Sequence, residues 1–361
     1  MFQPTFSLRW PLFLTLFACF GGIQAQTTTV NGRVVDQSTG EYILGATVTV
    51  DGTTTGTATN IYGFYSLSLP EGRYDLTWSF IGYTPFKKSV TLQENTTVDV
   101  ELSPSVVAMA AAEVEADRTA HTQSTDMGKA AVGVETIKSL PALLGEVDVL
   151  KDIQFLPGIQ SAGEGNSGFY VRGGGPDQNL VLVDDAVVYN ASHLFGFFSV
   201  FNPDAVKDIE VTKGTMPARY GGRVSSVLDI GLKEGNARNT TLSGGLGLIS
   251  SRLTLEGPIK EDTISYIISG RRTYLDVLTR PFVNPEGAFA GSGYYFYDLN
   301  AKVNWRASRR DQFYLSGYFG RDVFDFRSQS ADFGSRIPWG NSTLTARWNH
   351  LISYKAVTTT T

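Results

Sequence analysis

At 361 residues the chain is longer than one ordinary domain. With 42% hydrophobic and only 18% charged residues it lies outside the composition of disordered proteins. A net charge of −5 leaves no basic footprint for nucleic acid, and 38 glycines with 22 Phe and 16 Tyr point to β-rich folding. The single cysteine, Cys19, lies in the first 25 residues, so no disulfide can form in the remainder of the chain.

Residues 1–25 read as a secretory signal peptide. Arg9 is its positive flank, Pro11 to Phe20 its short apolar core, and Ala25 the expected cleavage site. A lipoprotein reading of Leu16 to Cys19 is the alternative. No later apolar run reaches the roughly 18 residues of a membrane helix. An exported chain of this kind suits a bacterial envelope.

Residues 28–102 hold six short alternating runs: Val30 to Val35, Ala46 to Val50, Phe64 to Leu69, Tyr74 to Phe80, Lys88 to Leu92 and Thr97 to Leu102. Turn chemistry such as Asp51-Gly52 and Pro70-Glu71-Gly72 separates them, which predicts a small β-sandwich. Residues 103–132 form a linker. Within it Ala112, Glu113, Val114, Glu115 and Ala116 make a short alternating segment able to add as an edge strand to a partner's sheet.

The period changes from 2 to 3.6 at Pro141. Leu143, Leu144, Val147, Leu150 and Ile153 predict an amphipathic helix that Pro157-Gly158 ends. From Gly168 to Leu232 three β-rich runs alternate with glycine clusters, and this stretch organises the chain. Gly163, Gly165 and Gly168 match a dinucleotide fingerprint, but a helix precedes and a strand follows, the wrong context for it. His121, His193 and His350 have no zinc-ligand spacing, and no Gly-x-Ser-x-Gly elbow occurs. No cofactor is expected. The run His193 to Phe198 reads as core or as an apical loop that meets ligand.

After Thr240 the alternation sharpens. Tyr295, Tyr297, Leu299, Ala301, Val303 and Trp305 are apolar or small, while Asp298, Asn300, Lys302, Asn304 and Arg306 fill the other face. Connections near Lys260 to Asp262 and Ser308 to Asp311 are short. Segments Thr273 to Ser292 and Val323 to Trp339 read as long loops. Short turns on one side and long loops on the other fit an outer-membrane barrel. A soluble sheet with one face on a core alternates equally well. The face carrying Tyr295 to Trp305 separates the two: outward toward lipid in the first case, inward in the second.

The motifs Phe169-Tyr-Val-Arg-Gly-Gly174, Leu180 to Asp185, Asn202-Pro203 to Glu210-Val211 and Met216 to Arg223 together resemble the plug domain of TonB-dependent outer-membrane receptors of the Bacteroidetes type. Gly257-Pro258 and Ser269 to Arg272 resemble that family's first barrel hairpin, and residues 28–102 resemble the carboxypeptidase-regulatory-like domain. The resemblance implies a mainly β architecture: a β-sandwich, then a mixed α/β plug at 133–235, then the first strands of an antiparallel barrel at 240–361. The family's barrel has about 22 strands. The resemblance also implies energised uptake of a bulky nutrient (siderophore, cobalamin, glycan or peptide), a TonB-type periplasmic partner docking at Ala112 to Ala116, and no enzymatic activity. Its plug motif falls on Val171, Arg172, Gly173, Gly174, Asp184, Glu210, Lys213, Gly214, Arg219, Tyr220, Gly221, Gly222 and Arg223. Of these, Arg172, Arg219, Arg223, Glu210 and Asp184, together with Asp185, are candidates for charged contacts between plug and wall. About five strands are expected after Thr240, fewer than the eight of the smallest bacterial barrels. Such a sheet would leave an unpaired edge toward lipid, so the chain reads as an N-terminal fragment of a receptor. The alternative is an envelope or secreted β-domain protein that binds without transporting.

Overall fold

The computed structural model describes residues 27–60, 62–105, 128–133, 146–163, 165–282, 292–328 and 333–361. The mainly β character, and the succession of sandwich, plug and wall, are those the sequence implies. The candidate partner-binding segment Ala112 to Ala116 lies outside the described residues.

The sandwich uses β1 (Thr27–Asp36), β2 (Thr47–Val50), β3 (Gly56–Ala58), β4 (Phe64–Pro70), β5 (Gly72–Ser79), β6 (Phe86–Leu92), β7 (Thr96–Thr97) and β8 (Val100–Leu102). One sheet runs β4-β1-β7, with β8 also on β1; the other runs β3-β2-β5-β6. Alternation places Val30, Val34, Val48, Leu67, Leu76 and Leu92 between the sheets around a fully buried Trp78. Truncating a buried tryptophan of this kind costs about 3–5 kcal/mol.

The plug sheet has the order β13-β12-β17-β16-β9. These strands are β9 (Lys129–Gly133), β12 (Asn179–Val183), β13 (Ala186–Val187), β16 (Val206–Lys213) and β17 (Ser226–Leu232). The short pairs β10 (Ile159–Ser161) with β11 (Phe169–Val171), and β14 (Ser192–His193) with β15 (Phe198–Ser199), lie outside that sheet. The helix expected from Pro141 to Pro157 is described as α1 (Val149–Ile153), and 134–145 are outside the described residues. Val149, Leu150 and Ile153 of α1 pack with Val181, Ile209 and Leu228 in the plug core. Asp148 caps the helix: Oδ1 accepts from the amides of Leu150 at 3.0 Å and Lys151 at 3.3 Å. Its Oδ2 accepts from Ser167 Oγ at 2.8 Å and the Ser199 amide at 2.9 Å, which ties α1 to β15.

Two turns explain part of the plug motif. Asp184 and Asp185 both have positive φ, at 46° and 69°, and form the two-residue turn between β12 and β13, whose twist suits an antiparallel pair. Gly214 sits at φ 93°, and a Cβ there would lie 2.2 Å from Nη1 of Arg172.

Among the described residues the wall is one antiparallel sheet of seven strands in chain order: β18 (Thr241–Leu246), β19 (Ser250–Lys260), β20 (Ile264–Thr273), β21 (Gly293–Arg306), β22 (Asp311–Ser328), β23 (Phe333–Ser353) and β24 (Ala356–Thr360). Two expectations are corrected here. The strands number seven, because the glycine-rich β18 and the threonine-rich β24 pair through their backbones without an alternating pattern to announce them. The segment from Val323 to Trp339 is mostly strand: β22 and β23 stay in register out to Ser328 opposite Phe333. Its clustered Phe and Asp side chains read as loop composition, but the ladder continues through them.

Candidate functional site

Along β21 the side chains of Tyr294, Phe296, Asp298, Asn300, Lys302 and Asn304 are buried, whereas Leu299, Val303 and Trp305 are 49%, 37% and 46% exposed. The buried face is thus the polar one, the inverse of a soluble sheet, where charges face water. The neighbouring strands repeat this: Ser265, Ser269, Arg271, Gln312 and Ser316 are buried, and Ile268, Leu315 and Leu344 are exposed. Trp305, Phe313 and Trp348 stack across three strands, with centroids 5.3 and 6.1 Å apart. They form one aromatic belt; Tyr295, bonded by Arg336 at 3.0 Å, lies toward the other end. Tyr295 and Trp305 are ten residues apart, about 34 Å of strand at a rise of ~3.4 Å. A tilt near 45° shortens that to about 24 Å, the height of an outer-membrane apolar band.

The plug covers the polar face through a seam of charges. Arg271 on β20 is its hub: Nη2 and Nε donate to Asp298 Oδ2 at 2.6 and 2.9 Å, Nη1 to Glu146 at 3.2 Å, and Nη2 also to the Ser199 carbonyl at 2.7 Å. His193 of β14 sits between two wall carboxylates, with Nε2 2.9 Å from Asp298 and Nδ1 2.7 Å from Asp322. Its ring stacks on Phe296 at 3.9 Å. Burial works against the imidazolium, but Asp298 and Asp322 outweigh it and raise the His193 pKa, so the two carboxylates favour a charged ring at this peg from plug into wall. Asp322 is held in turn by Tyr294. Further along, Asp184 pairs with Lys302 at 3.2 Å, Asp185 with Arg347 at 2.6 Å, Asp204 with Arg252 at 2.7 Å, and Asn202 donates to Ser269 at 2.6 Å.

The charged contacts expected of the plug motif divide. Asp184 and Asp185 meet the wall. Arg172, Arg219, Arg223 and Glu210 make their described contacts inside the plug: Arg172 over Gly214, Arg219 on Tyr220 at 2.9 Å, Arg223 on the Gly222 carbonyl and Glu210 with Lys129 at 2.5 Å. Among the described residues the basic side chains that cross the seam are Arg252, Arg271, Lys302 and Arg347 of the wall, with His193 from the plug. Val171 is buried in the plug core, while Gly173 and Gly174 turn the chain after it. Lys213 donates to the Pro157 carbonyl at 2.7 Å, Gly222 turns at φ 80°, and Gly221 faces open space. The run His193 to Phe198 is split: His193 and Phe198 are buried, Phe195 and Phe197 exposed. The exposed Phe195 closes on Phe324 and Trp339 at 6.0 and 5.5 Å.

Residues 30–114 match the family model described as CarboxypepD_reg-like domain, and residues 114–226 match the TonB-dependent Receptor Plug Domain. The chain thus carries a TonB-dependent receptor plug domain preceded by a CarboxypepD_reg-like domain. It is 30% identical over 248 residues to the TonB-dependent receptor SusC of Bacteroides thetaiotaomicron, a match covering 65% of this chain and 23% of that protein. It is 23% identical over 247 residues to the TonB-dependent receptor P3 of Formosa agariphila, with the same coverage. The chain thus spans about a quarter of the length of the curated relatives it matches. Solved structures similar to it include the siderophore receptor PirA of Acinetobacter baumannii, at 19% identity and TM-score 0.45, covering 62% of this chain and 38% of that one. The ferric enterobactin receptor PfeA of Pseudomonas aeruginosa, as an R480A mutant, gives 19%, 0.44 and the same coverage.

Proposed function

We propose that this receptor chain serves energised uptake of a bulky nutrient across the outer membrane, driven by a TonB-type periplasmic partner, and that it performs no catalysis. The observation that supports this reading most is the pairing of an outward apolar face on β19 to β23 with an inward polar face occupied by a separate plug. An adhesion module would put the apolar face of that sheet on a core. Ligand arrives on the side of the long connection between β20 and β21. The segment Ala112 to Ala116 adds as a strand to the partner, and tension on it moves the plug against its charged seam. Siderophores, cobalamin, glycans and peptides are the ligand classes.

The test uses the native gene in its source cell. Replacing Ala112 to Ala116 with a Gly-Ser run of equal length is expected to leave the outer-membrane level and heat-modifiable migration unchanged. It should abolish growth on whichever of those nutrients requires the gene. Growth that survives both this replacement and loss of the TonB-type protein would sink the transport reading.

A further inference from the structure

The sandwich has no role in the mechanism above, yet it is bound to both plug and wall. It meets the wall at the short turns, the periplasmic end of a barrel. Asn31 and Ser66 donate to the Tyr354 carbonyl at 3.3 and 3.0 Å in the turn between β23 and β24, and Thr359 bonds Tyr62 at 3.2 Å. Arg306, at the end of β21, lies 4.5 Å over the Tyr42 ring and donates to the Gly40 carbonyl. The strongest contacts go to the connector between plug and wall, residues 233–238. Arg238 grips Glu101 of β8 with Nη2 at 2.6 Å and Nη1 at 3.1 Å, and reaches Asp262 of the first wall turn at 3.2 Å. The Ala237 amide donates to the Thr39 carbonyl at 2.8 Å. The Glu234 amide donates to Glu41 Oε1 at 2.8 Å. The plug cation Lys207 lies between Glu234 at 3.4 Å and Glu41 at 3.9 Å.

We propose that the sandwich is a periplasmic latch on the plug: its loop Thr39 to Glu41 docks on the connector and shares the plug's Lys207, so docking of the sandwich and seating of the plug stabilise one another. The coupling is local and physical. When Glu41 leaves, the partly buried Lys207 keeps one ion-pair partner, Glu234, in place of two, and the Glu234 amide loses its acceptor. Glu234 also contacts Asn304 and Tyr314 of the wall at 3.4 Å each, so the disturbance reaches the point where the plug chain enters the barrel. Lys207 is the second residue of β16, an interior strand of the plug sheet. By linkage, whatever loosens the sandwich loosens the plug, and whatever unseats the plug releases the sandwich.

The test is hydrogen exchange on the full-length receptor purified from outer membranes. Glu41→Ala is expected to speed exchange about tenfold in residues 233–238 and in Val206–Lys213, far from the sandwich core. Glu101→Ala, which touches neither Lys207 nor Glu234, should give the same response by undocking the sandwich through Arg238. A cysteine pair at Gly40 and Ala237, whose Cβ positions would lie 3.2 Å apart, should cross-link in intact cells and suppress the response when oxidised. Exchange that rises only inside residues 27–102 in both variants would overturn the latch, as would failure of the pair to cross-link above a Gly52/Ala237 control. None of these readouts requires transport, so the latch and the uptake reading fail separately.

Discussion

Replacing Arg271 with methionine tests the seam at its hub. The thioether retains most of the stem that packs beneath the guanidinium, which lies 5.1 Å over the Phe296 ring. What disappears is the charge shared by Asp298 and Glu146, both nearly inaccessible. Removing one partner of a buried ion pair costs about 3–5 kcal/mol, because the other is left without compensation. Asp298 keeps His193 and Tyr318, and Glu146 keeps Ser250 at 2.6 Å, so the lower half of that range is expected, about 3 kcal/mol or a hundredfold in plug opening. Hydrogen exchange at Val149–Ile153 and Phe198–Ser199, read with denaturant titration of the detergent-solubilised receptor, measures it. Asp298→Asn in the same background should restore about half, since it removes one orphaned charge. His193→Phe should cost less than Arg271→Met, because Asp298 retains Arg271, and Asp322 retains Tyr294 and the Leu194 amide. An Arg271→Met effect below about 1 kcal/mol, or the opposite ranking, would refute the hub.

Three further outcomes follow from the same geometry. Leu299→Lys, near the middle of the apolar band, should cost about 2–4 kcal/mol in lipid and lower the outer-membrane level, while Ala301→Ser beside it should change little. Gly214→Ala should destabilise the plug by about 1–3 kcal/mol, seen as faster proteolysis, since it forces both a positive φ and a clash with Arg172. The Asp152 carboxyl is pushed up to about 7, chiefly by burial and then by Asp148. Protonation therefore favours the folded state: the contribution is full below the unfolded value of about 4 and is lost as pH rises through about 7. Asp152→Asn should raise stability at pH 8 by roughly 1–2 kcal/mol, after discounting for its partial exposure, and change little at pH 4.

The strand content and the inverted wall were legible because alternation fixes which residues share a face. Asp298 and Lys302 were visible as the polar face of β21, but nothing local said that a plug would bury that face. The seam partners are 105 and 118 residues from His193 and Asp184, and no period in a sequence reports separations of that size. The glycines of the plug motif were readable as turns; that Gly214 exists to admit Arg172 required their juxtaposition. The plug's arginines misled for a related reason. Charge type gives the chemistry of a contact but not its partner, and four of the candidate plug charges found partners within the plug. β18 and β24 escaped notice because edge strands made of Gly and Thr are specified by the ladder beside them.

The contrast between the plug's interior and its seat sets where the molecule yields under load. Inside the plug, Val149, Ile153, Ile209, Leu228 and Ile230 would have to be exposed to water for the body to tear. At the seam, ions and hydroxyls that part can be rehydrated at once, so each hydrogen bond lost costs about 1 kcal/mol net instead of the ~5 it would cost in a dry gap. The protein thus has a fracture plane drawn around the plug. Wetting lowers the work of separation along that plane and leaves both surfaces soluble and ready to rejoin, so the plug can leave its seat as a folded body and return to it.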